Sequence, residues 1–274
     1  MTTMCRSDMM HEARHDGWNS GDSYDVYMGR WSRKIAVAFL DWLAPASDLD
    51  WLDVGSGTGA LSKEILDHCA PQSVLGIEPS EEFAGTARAN IVDVRATFEI
   101  GDAMALPVAG DSRDAVVSGL ALNFVPDPVR ALSEMRRVAR RTGVVAFYVW
   151  DYPSGGVHFI SAFWQAAAAL DSSAAELTEA RRFSSCTPEG LLGYAAACGM
   201  TGGECVALET LTVFADFDDY WRPFTLGAGP APGYCATLTP EQRERLRERL
   251  RVELPTRRDG SIVLPARAWA VRGR

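Results

Sequence analysis

Between residues 47 and 150, short apolar runs alternate with longer segments in which apolar residues recur every three or four positions. The first pattern predicts buried strands and the second predicts amphipathic helices. Strands are predicted at residues 51–54, 73–77, 97–100, 114–120 and 144–150, and helices at residues 60–68, 81–90 and 128–140. Because the two kinds of element alternate, the chain is expected to form an α/β fold, a parallel, doubly wound sheet with helices on both faces.

Beyond residue 150 the alternation becomes less regular. Helical patterns occur at residues 158–171 and 187–199, and strand patterns at residues 205–214 and 261–271. Pro265 has no backbone N–H, so it predicts an edge or a bulge in the last of these strands. The long segment between the two strands contains a loop rich in glycine and proline and then a charged helix with a capping box.

The stretch from Trp51 to Gly59 is the end of a buried strand followed by three glycines at alternate positions. A strand, a Gly-rich turn and a helix N-terminus together predict a polar-ligand site at the carboxyl end of the sheet. The next predicted strand ends in Glu78, at the distance where a carboxylate would hold a ribose diol.

The glycine spacing indicates which ligand binds. Dinucleotide folds use G-x-G-x-x-G, whereas this chain has D-x-G-x-G-x-G with Asp53 ahead of the first glycine. An acid there would repel a pyrophosphate but suits an ammonium group. S-adenosylmethionine (SAM) carries both a ribose and a positive charge, so it fits both requirements.

In these features the sequence resembles the class I SAM-dependent methyltransferases, over residues from about 24 to 150. The YMGRWSR stretch at residues 27–33 and the DYWRPF stretch at residues 219–224 further resemble a methyltransferase type 11-like subgroup. The resemblance implies a Rossmann-like sheet of seven strands with an antiparallel last strand, an N-terminal lid and a C-terminal cap insertion.

The resemblance also implies a set of cofactor contacts. Asp102 and Ala103 would hold the adenine, while Gly119 and Leu120 would touch SAM through backbone atoms. The residues expected to bind SAM are Tyr24, Arg30, Arg33, Asp53, Gly55, Ser56, Gly57, Gly59, Glu78, Pro79, Asp102, Ala103, Gly119 and Leu120.

A lid is expected from the aromatic and basic residues before the first strand. Arg30 or Arg33 could pair with the carboxylate of SAM, because a guanidinium fork matches a carboxylate. Tyr24 could face the sulfonium or the substrate. The alternative is that the aromatic residues of this segment only pack and its arginines are solvated.

Substrate contacts are expected from the loop after the fourth strand and from aromatic residues of the second half. These residues are Trp31, Asn123, Phe124, Trp150, Phe163, Tyr220 and Trp221. Equally, the aromatic residues of the second half could be a satellite core under a long loop. His158, and less strongly Tyr24, are the candidate general bases.

Four regions follow from these patterns. They are a flexible leader at residues 1–23, a lid helix at 24–46, a SAM-binding core at 47–152, and residues 153–274. The last region holds the remaining core strands with substrate-cap insertions at about 155–200 and 215–260.

The composition of the chain argues against several classes of function. The 274 residues carry a net charge of −9, which argues against a nucleic-acid-binding surface. No apolar run approaches the ~20 residues that a membrane span needs, so no membrane partner is expected. Six scattered cysteines, without a C-x-x-C pair, indicate a reduced, cytoplasmic protein. No spacing predicts a metal site, and a monomer or a homodimer is compatible with the sequence.

The leading hypothesis is a SAM-dependent methyltransferase that acts on a small, partly aromatic or apolar acceptor in small-molecule metabolism. Transfer is expected by in-line displacement, with the protein mainly aligning the two reactants. One alternative is a catalytically silent SAM-binding or interaction protein. Another is a nicotinamide-dependent oxidoreductase, which the glycine spacing and Asp102 disfavour.

Overall fold

The computed structural model of the protein describes residues 28–226 and 229–274. The predicted leader at residues 1–23 and the predicted contact residue Tyr24 lie outside this part of the chain. Seven strands form one sheet in the order β3-β2-β1-β4-β5-β7-β6. The strands are β1 (Asp50–Val54), β2 (Ser73–Glu78), β3 (Ala96–Ile100), β4 (Arg113–Gly119), β5 (Ala139–Trp150), β6 (Glu204–Phe214) and β7 (Ile262–Gly273).

The helices cover both faces of this sheet. They are α1 (Arg30–Leu43), α2 (Ala60–His68), α3 (Glu81–Asn90), α4 (Pro128–Val138), α5 (His158–Leu170), α6 (Glu179–Arg182), α7 (Pro188–Ala197), α8 (Phe217–Trp221), α9 (Pro230–Thr237) and α10 (Pro240–Glu253). The N-caps predicted at Ser80 and Thr187 and the capping box at Thr239 are all confirmed. Each of these hydroxyls accepts a hydrogen bond from an N–H that the first helical turn leaves unsatisfied.

Strands β1 to β5 run parallel, and β7 is antiparallel to both β5 and β6. The seven-stranded Rossmann-like α/β fold with an antiparallel last strand is therefore confirmed. Pro265 pairs with Leu211 of β6, while the pairing of β7 with β5 starts only at Ala268. Pro265 thus lies where β7 has one strand neighbour, which explains how its missing N–H is tolerated.

The predicted boundary between α4 and β5 was wrong. The helix expected to run to residue 140 ends at Val138, and β5 begins immediately at Ala139. Arg140 is held in the strand by side-chain hydrogen bonds to Asp50, the first residue of β1, and Asp114, the second residue of β4. These ion pairs depend on tertiary contacts, so the local sequence pattern could not show them.

Two hydrophobic cores lie on opposite faces of the sheet. The neighbours Trp51 and Leu52 of β1 point to different faces, and each belongs to a separate buried cluster. The cluster that includes Trp51 extends through α1 into α5, α8, α9 and α10. The segments beyond residue 150 therefore add their apolar side chains to a core that begins at the first helix.

Candidate functional site

A cavity of about 390 Å³ opens at the carboxyl ends of β1, β2 and β4. This is the position at which open α/β sheets bind their ligands, and the volume is that of a small-molecule site. Its lining residues are Ser32, Asp53, Gly55, Ser56, Gly57, Thr58, Ala60, Leu61, Ile77, Glu78, Pro79, Phe83, Asp102, Ala103, Gly119, Leu120, Ala121, Phe124, Val125, Pro126 and Tyr148.

The Gly-rich turn forms one wall of this cavity. Gly55, Gly57 and Gly59 have φ angles of 73°, 56° and 89°, which side-chain-bearing residues rarely adopt. A Cβ added to Gly55 would lie 2.5 Å from the Cβ of Ala121, whereas one on Gly57 would meet nothing within 4 Å. The turn is therefore packed on one side and leaves open space for a ligand on the other.

Glu78 ends β2 and is fixed by the turn. Its Oε2 accepts from the N–H of Gly57 at 2.9 Å, and its Oε1 accepts from the N–H of Ser80 at 3.1 Å. Burial raises the pKa of the Glu78 carboxyl, and these two hydrogen bonds act in the opposite direction. The carboxylate is consequently held in one orientation at the edge of the cavity.

Asp53 is the second acid of the cavity and is only 1% exposed. Its Oδ2 accepts from Ser62 Oγ at 2.7 Å, while its Oδ1 is buried without a hydrogen-bond partner among the described residues. Burial raises the pKa of Asp53 to about 7, and the charge of Glu78 adds to this effect. The Oγ of Ser56 is likewise buried without a partner in the described part of the chain. Buried polar atoms of this kind indicate a place for a polar ligand.

The far end of the cavity is formed by the strand ends of β4 and β5. Leu120 has a φ of 58°, and its N–H donates to the carbonyl of Tyr148 at 2.8 Å. A Cβ on Gly119 would lie 2.6 Å from the Tyr148 hydroxyl oxygen, so this hydroxyl lies directly against the end of β4. Phe124, from the short 3-10 turn after β4, completes this end and is 39% exposed.

Eleven of the predicted cofactor and substrate residues therefore line one cavity. They are Asp53, Gly55, Ser56, Gly57, Glu78, Pro79, Asp102, Ala103, Gly119, Leu120 and Phe124. Gly59, with a φ of 89° immediately before α2, is not part of the lining. Asp102 also accepts a hydrogen bond from the N–H of Met104 at 2.8 Å. Its carboxylate thus shapes the turn after β3 as well as the cavity.

Arg30 does not face the cavity. Its Nη1 donates to both carboxylate oxygens of Asp219 at 3.0 Å, and its guanidinium lies over the rings of Trp31 and Phe214. The prediction that Arg30 holds the cofactor carboxylate finds no support in this geometry, because its charge is used to join α1 to α8. Arg33 is exposed and does not line the cavity either.

Most of the predicted substrate aromatics lie in the interior, away from the cavity. Tyr220 is fully buried, and its hydroxyl donates to the carbonyl of Phe159 at 2.8 Å. Phe163 is stacked on Phe224 with ring centroids 4.5 Å apart. The geometry favours the alternative that these aromatic residues pack in a core, since Trp31, Trp150, Phe163, Tyr220 and Trp221 all belong to the cluster that includes Trp51.

Two further predicted residues do not line the cavity. Asn123 belongs to the same 3-10 turn as Phe124, and its Nδ2 is buried without a partner among the described residues. His158 is the first residue of α5 and faces a different groove, beside Glu253 at the end of α10. The structure therefore gives no support to His158 as the base that serves this cavity.

Ten of the lining residues were not predicted from the sequence, and three of these come from elements that the site motifs do not include. Ser32 comes from the first turn of α1, Phe83 from the first turn of α3, and Tyr148 from β5. Phe83 could have been found, since it is the first apolar residue of the helix that follows Glu78. Tyr148 has no such signal, because it lies within a continuous apolar strand.

The chain is similar to known methyltransferases over the region that contains this cavity. Residues 52–147 match the family model described as a methyltransferase domain. The chain is 37% identical over 103 residues to a demethylmenaquinone methyltransferase of Roseiflexus castenholzii, covering 38% of this chain and 43% of that protein. It is 36% identical over 124 residues to a ubiquinone/menaquinone biosynthesis C-methyltransferase of Dinoroseobacter shibae, covering 43% of this chain and 49% of that protein. The match thus spans less than half the length of these relatives.

A structural comparison extends over the whole chain. A phosphoethanolamine N-methyltransferase of Haemonchus contortus in complex with S-adenosyl-L-methionine superposes with a TM-score of 0.60. The identity is 15%, and the match covers 99% of this chain and 60% of that one, so it establishes the fold. The matched domain contains the Gly-rich turn, Glu78 and Asp102, and the methyl donor of its family is SAM. By this match over residues 52–147 and by its fold, the chain is similar to the class I SAM-dependent methyltransferases.

Proposed function

We propose that the protein transfers the methyl group of SAM to a small, partly aromatic or apolar acceptor. The observation that carries the proposal is the division of the cavity into two ends. Asp53, Glu78 and Asp102 supply three carboxylates at one end, while Leu120, Phe124 and their neighbours make the other end apolar. A charged nucleoside fits the first end, and a methyl acceptor of low polarity fits the second.

The residues at the polar end of the cavity suit the separate chemical groups of SAM. Glu78 is positioned to accept from the ribose diol, and the unpartnered Oδ1 of Asp53 is suited to an ammonium group. Asp102 and Ala103 would meet the adenine, with the ring of Phe83 beside them. The open side of Gly57 leaves room for the ligand backbone to approach closely.

When bound, SAM supplies an activated methyl group on a sulfonium, which is already a good leaving group. The protein must therefore align the acceptor and exclude water. The backbone of Gly119 and Leu120 and the hydroxyl of Tyr148 border the place where the acceptor would meet the methyl group. The fixed geometry of Leu120, held by its hydrogen bond to β5, keeps this border rigid.

No imidazole or amine lines the cavity among residues 28–226 and 229–274, and its three carboxylates all lie at the cofactor end. A general base helps only when the nucleophile must lose a proton during attack. The arrangement therefore favours an acceptor that already carries its reactive electron pair, such as a thiolate, an amine or an enolate.

The names of the relatives point to a quinone precursor that is methylated on carbon. Such a precursor is flat and conjugated, and it belongs with the enolate acceptors. Phe124 supports a flat acceptor, because its partly exposed ring could stack on one. The family model matches residues 52–147, so the segments after β5 lie outside it. The acceptor is consequently proposed from the cavity, and the relatives supply a first compound class to assay.

Calorimetric titration with S-adenosylhomocysteine (SAH), with NAD as the control, tests the first half of the proposal. Micromolar binding of SAH without binding of NAD is the expected result. Binding of NAD alone would refute the assignment of the Gly-rich turn. Turnover is then tested by following SAM consumption with demethylated quinones, aromatic amines and thiols as acceptors.

A further inference from the structure

The side chain of Tyr148 leans from β5 across the carboxyl end of β4. Tyr148 and Gly119 are directly opposite each other in the pairing of these two strands. A Cβ built on Gly119 would lie 2.6 Å from the tyrosine hydroxyl oxygen and 2.9 Å from the Cζ carbon that carries it. A side chain at residue 119 would therefore displace this hydroxyl. The glycine lets a residue of β5 place its polar atom at the end of β4.

Tyr148 has a fixed position in the cavity wall. The residue lines the cofactor cavity and is only 2% exposed. Its ring packs against that of Phe39 in α1, with the ring centroids 4.7 Å apart. Its backbone carbonyl accepts from the N–H of Leu120 at 2.8 Å. Because both the ring and the backbone are held, the hydroxyl oxygen is held as well.

This hydroxyl is a polar group in an apolar part of the cavity. The other residues that line this end carry no nitrogen or oxygen in their side chains; they are Gly119, Leu120, Ala121, Phe124, Val125 and Pro126. A phenol oxygen has lone pairs in addition to the proton that it donates. The oxygen can therefore accept from a ligand whichever group receives its own proton.

The strand order determines which part of SAM would face this oxygen. Glu78 is the last residue of β2, Asp53 belongs to β1, and β4 is the next strand on the other side of β1. With the ribose at Glu78 and the ammonium group at Asp53, as proposed above, the sulfonium that joins these two parts lies over the same edge of the sheet. Its third substituent, the methyl group, is left to face β4, one strand spacing of about 4.8 Å away.

We infer that the hydroxyl oxygen of Tyr148 accepts a C–H···O hydrogen bond from the methyl group of bound SAM, and that this contact distinguishes SAM from its demethylated product, SAH. The inference rests on the proposed function and assigns one residue to the group that is transferred. A methyl group on a positively charged sulfur is polarised, so its C–H bonds are suited to such a contact. SAH has no methyl group and does not make the contact, so the site holds the product less tightly than the donor.

The test compares three ligands by calorimetry in the wild-type protein and in Tyr148→Phe. They are SAM, SAH and sinefungin, an analogue in which a carbon bearing an ammonium group replaces the methylated sulfur. In Tyr148→Phe, SAM should bind about two- to fivefold more weakly, which corresponds to one C–H···O contact. Sinefungin should bind at least about tenfold more weakly, because a charged N–H donor loses its acceptor. SAH affinity should not change, which also shows that the variant folds.

Tyr194→Phe is the matched control. Tyr194 is a partly buried tyrosine of α7 that does not line the cavity. Loss of its hydroxyl should leave the affinities for all three ligands unchanged. If Tyr194→Phe weakened SAM and sinefungin as much as Tyr148→Phe does, the effect would not come from a contact with the methyl group, and the inference would be overturned.

A measurement on the wild-type protein decides the case in which Tyr148→Phe does not fold. SAM carrying a ¹³C-labelled methyl group is bound to the protein, and the methyl proton resonance is compared with that of free SAM. Protons that contact an oxygen are deshielded, so the resonance should move downfield on binding. A resonance that stays in place or moves upfield would overturn the inference.

The outcomes also separate this inference from the proposed function. Failure of the wild-type protein to bind both SAM and SAH would overturn the proposed function itself. Normal binding by the wild-type protein, with equal losses for the three ligands in Tyr148→Phe, would give the tyrosine a purely structural role and overturn only the inference. Unchanged affinities for SAM and sinefungin in Tyr148→Phe would overturn it equally.

Discussion

The pH dependence of cofactor binding can be predicted from Asp53. Burial raises the pKa of its carboxyl to about 7 in the free protein, and the charge of Glu78 adds to this effect. An ammonium group beside Asp53 would stabilise the ionised form and lower that pKa. SAH binding should therefore release a proton wherever Asp53 is still protonated in the free protein.

The size of the effect follows from the position of this pKa. Below pH 7, each further pH unit should weaken binding by about tenfold, or about 1.4 kcal/mol, because a proton must first leave Asp53. Above about pH 8 this contribution should vanish. At pH 7 about half a proton should be released for each SAH bound.

Calorimetry in two buffers of different ionisation enthalpy measures both the affinity and the number of protons released. Asp53→Asn is the matched variant, since its amide oxygen can still accept from the hydroxyl of Ser62. Its affinity should not show the decline below pH 7. 5′-Methylthioadenosine, which lacks the ammonium group, serves as the ligand control. A wild-type profile that matches that of Asp53→Asn would refute the placement of the ammonium group at Asp53.

Three further outcomes are expected. Glu78→Gln should weaken SAH binding by about 1.5–3 kcal/mol in calorimetry, because one charge-assisted hydrogen bond to the ribose is lost; unchanged affinity would contradict the ribose assignment. Asp219→Asn should lower the free energy of unfolding, measured in urea, by about 1 kcal/mol, because the ion pair with Arg30 is lost. Asp218→Asn, at the more exposed neighbouring position, should have almost no effect. Equal effects of the two variants would contradict a specific link between Arg30 and Asp219. Since folding raises the pKa of Glu179 from an ordinary 4.5 to about 7, the folded state holds the proton longer, and stability should fall as the pH rises between these values. Urea unfolding at both ends of that range should show a smaller fall in Glu179→Gln, and an identical fall would count against this origin.

The end of the cavity that carries Asp53 and Glu78 could be predicted from sequence because its signals are local. The strand-to-turn transition at residues 51–59 and the acid at the end of the next strand lie within about 30 residues of each other. Parallel strands bring their carboxyl ends to one edge of the sheet. The positions of Asp53 and Glu78 were therefore determined by topology once the alternation of strands and helices was recognised.

The second half of the chain could not be interpreted in the same way. The sequence around Arg30 does not show whether its side chain faces a binding loop or pairs with Asp219, which lies 189 positions away. Likewise, the buried Tyr220 and the cavity-lining Phe124 are both aromatic residues in short helical segments. Only the packing of distant segments decides which of them reaches a ligand, and that packing is not encoded in any single window of sequence.

The position of β7 also has a consequence for the order in which the protein assembles. The strands that carry the cofactor cavity are complete at Trp150, but β7 begins only at Ile262 and must enter between β5 and β6. Until it does, β6 has no strand neighbour in the described sheet, and one edge of β5 remains open. During synthesis, a nascent chain would therefore carry a nearly complete nucleoside site beside an unpaired β5 edge. Such an edge can pair with other chains, so this interval is the one in which a chaperone would be most useful.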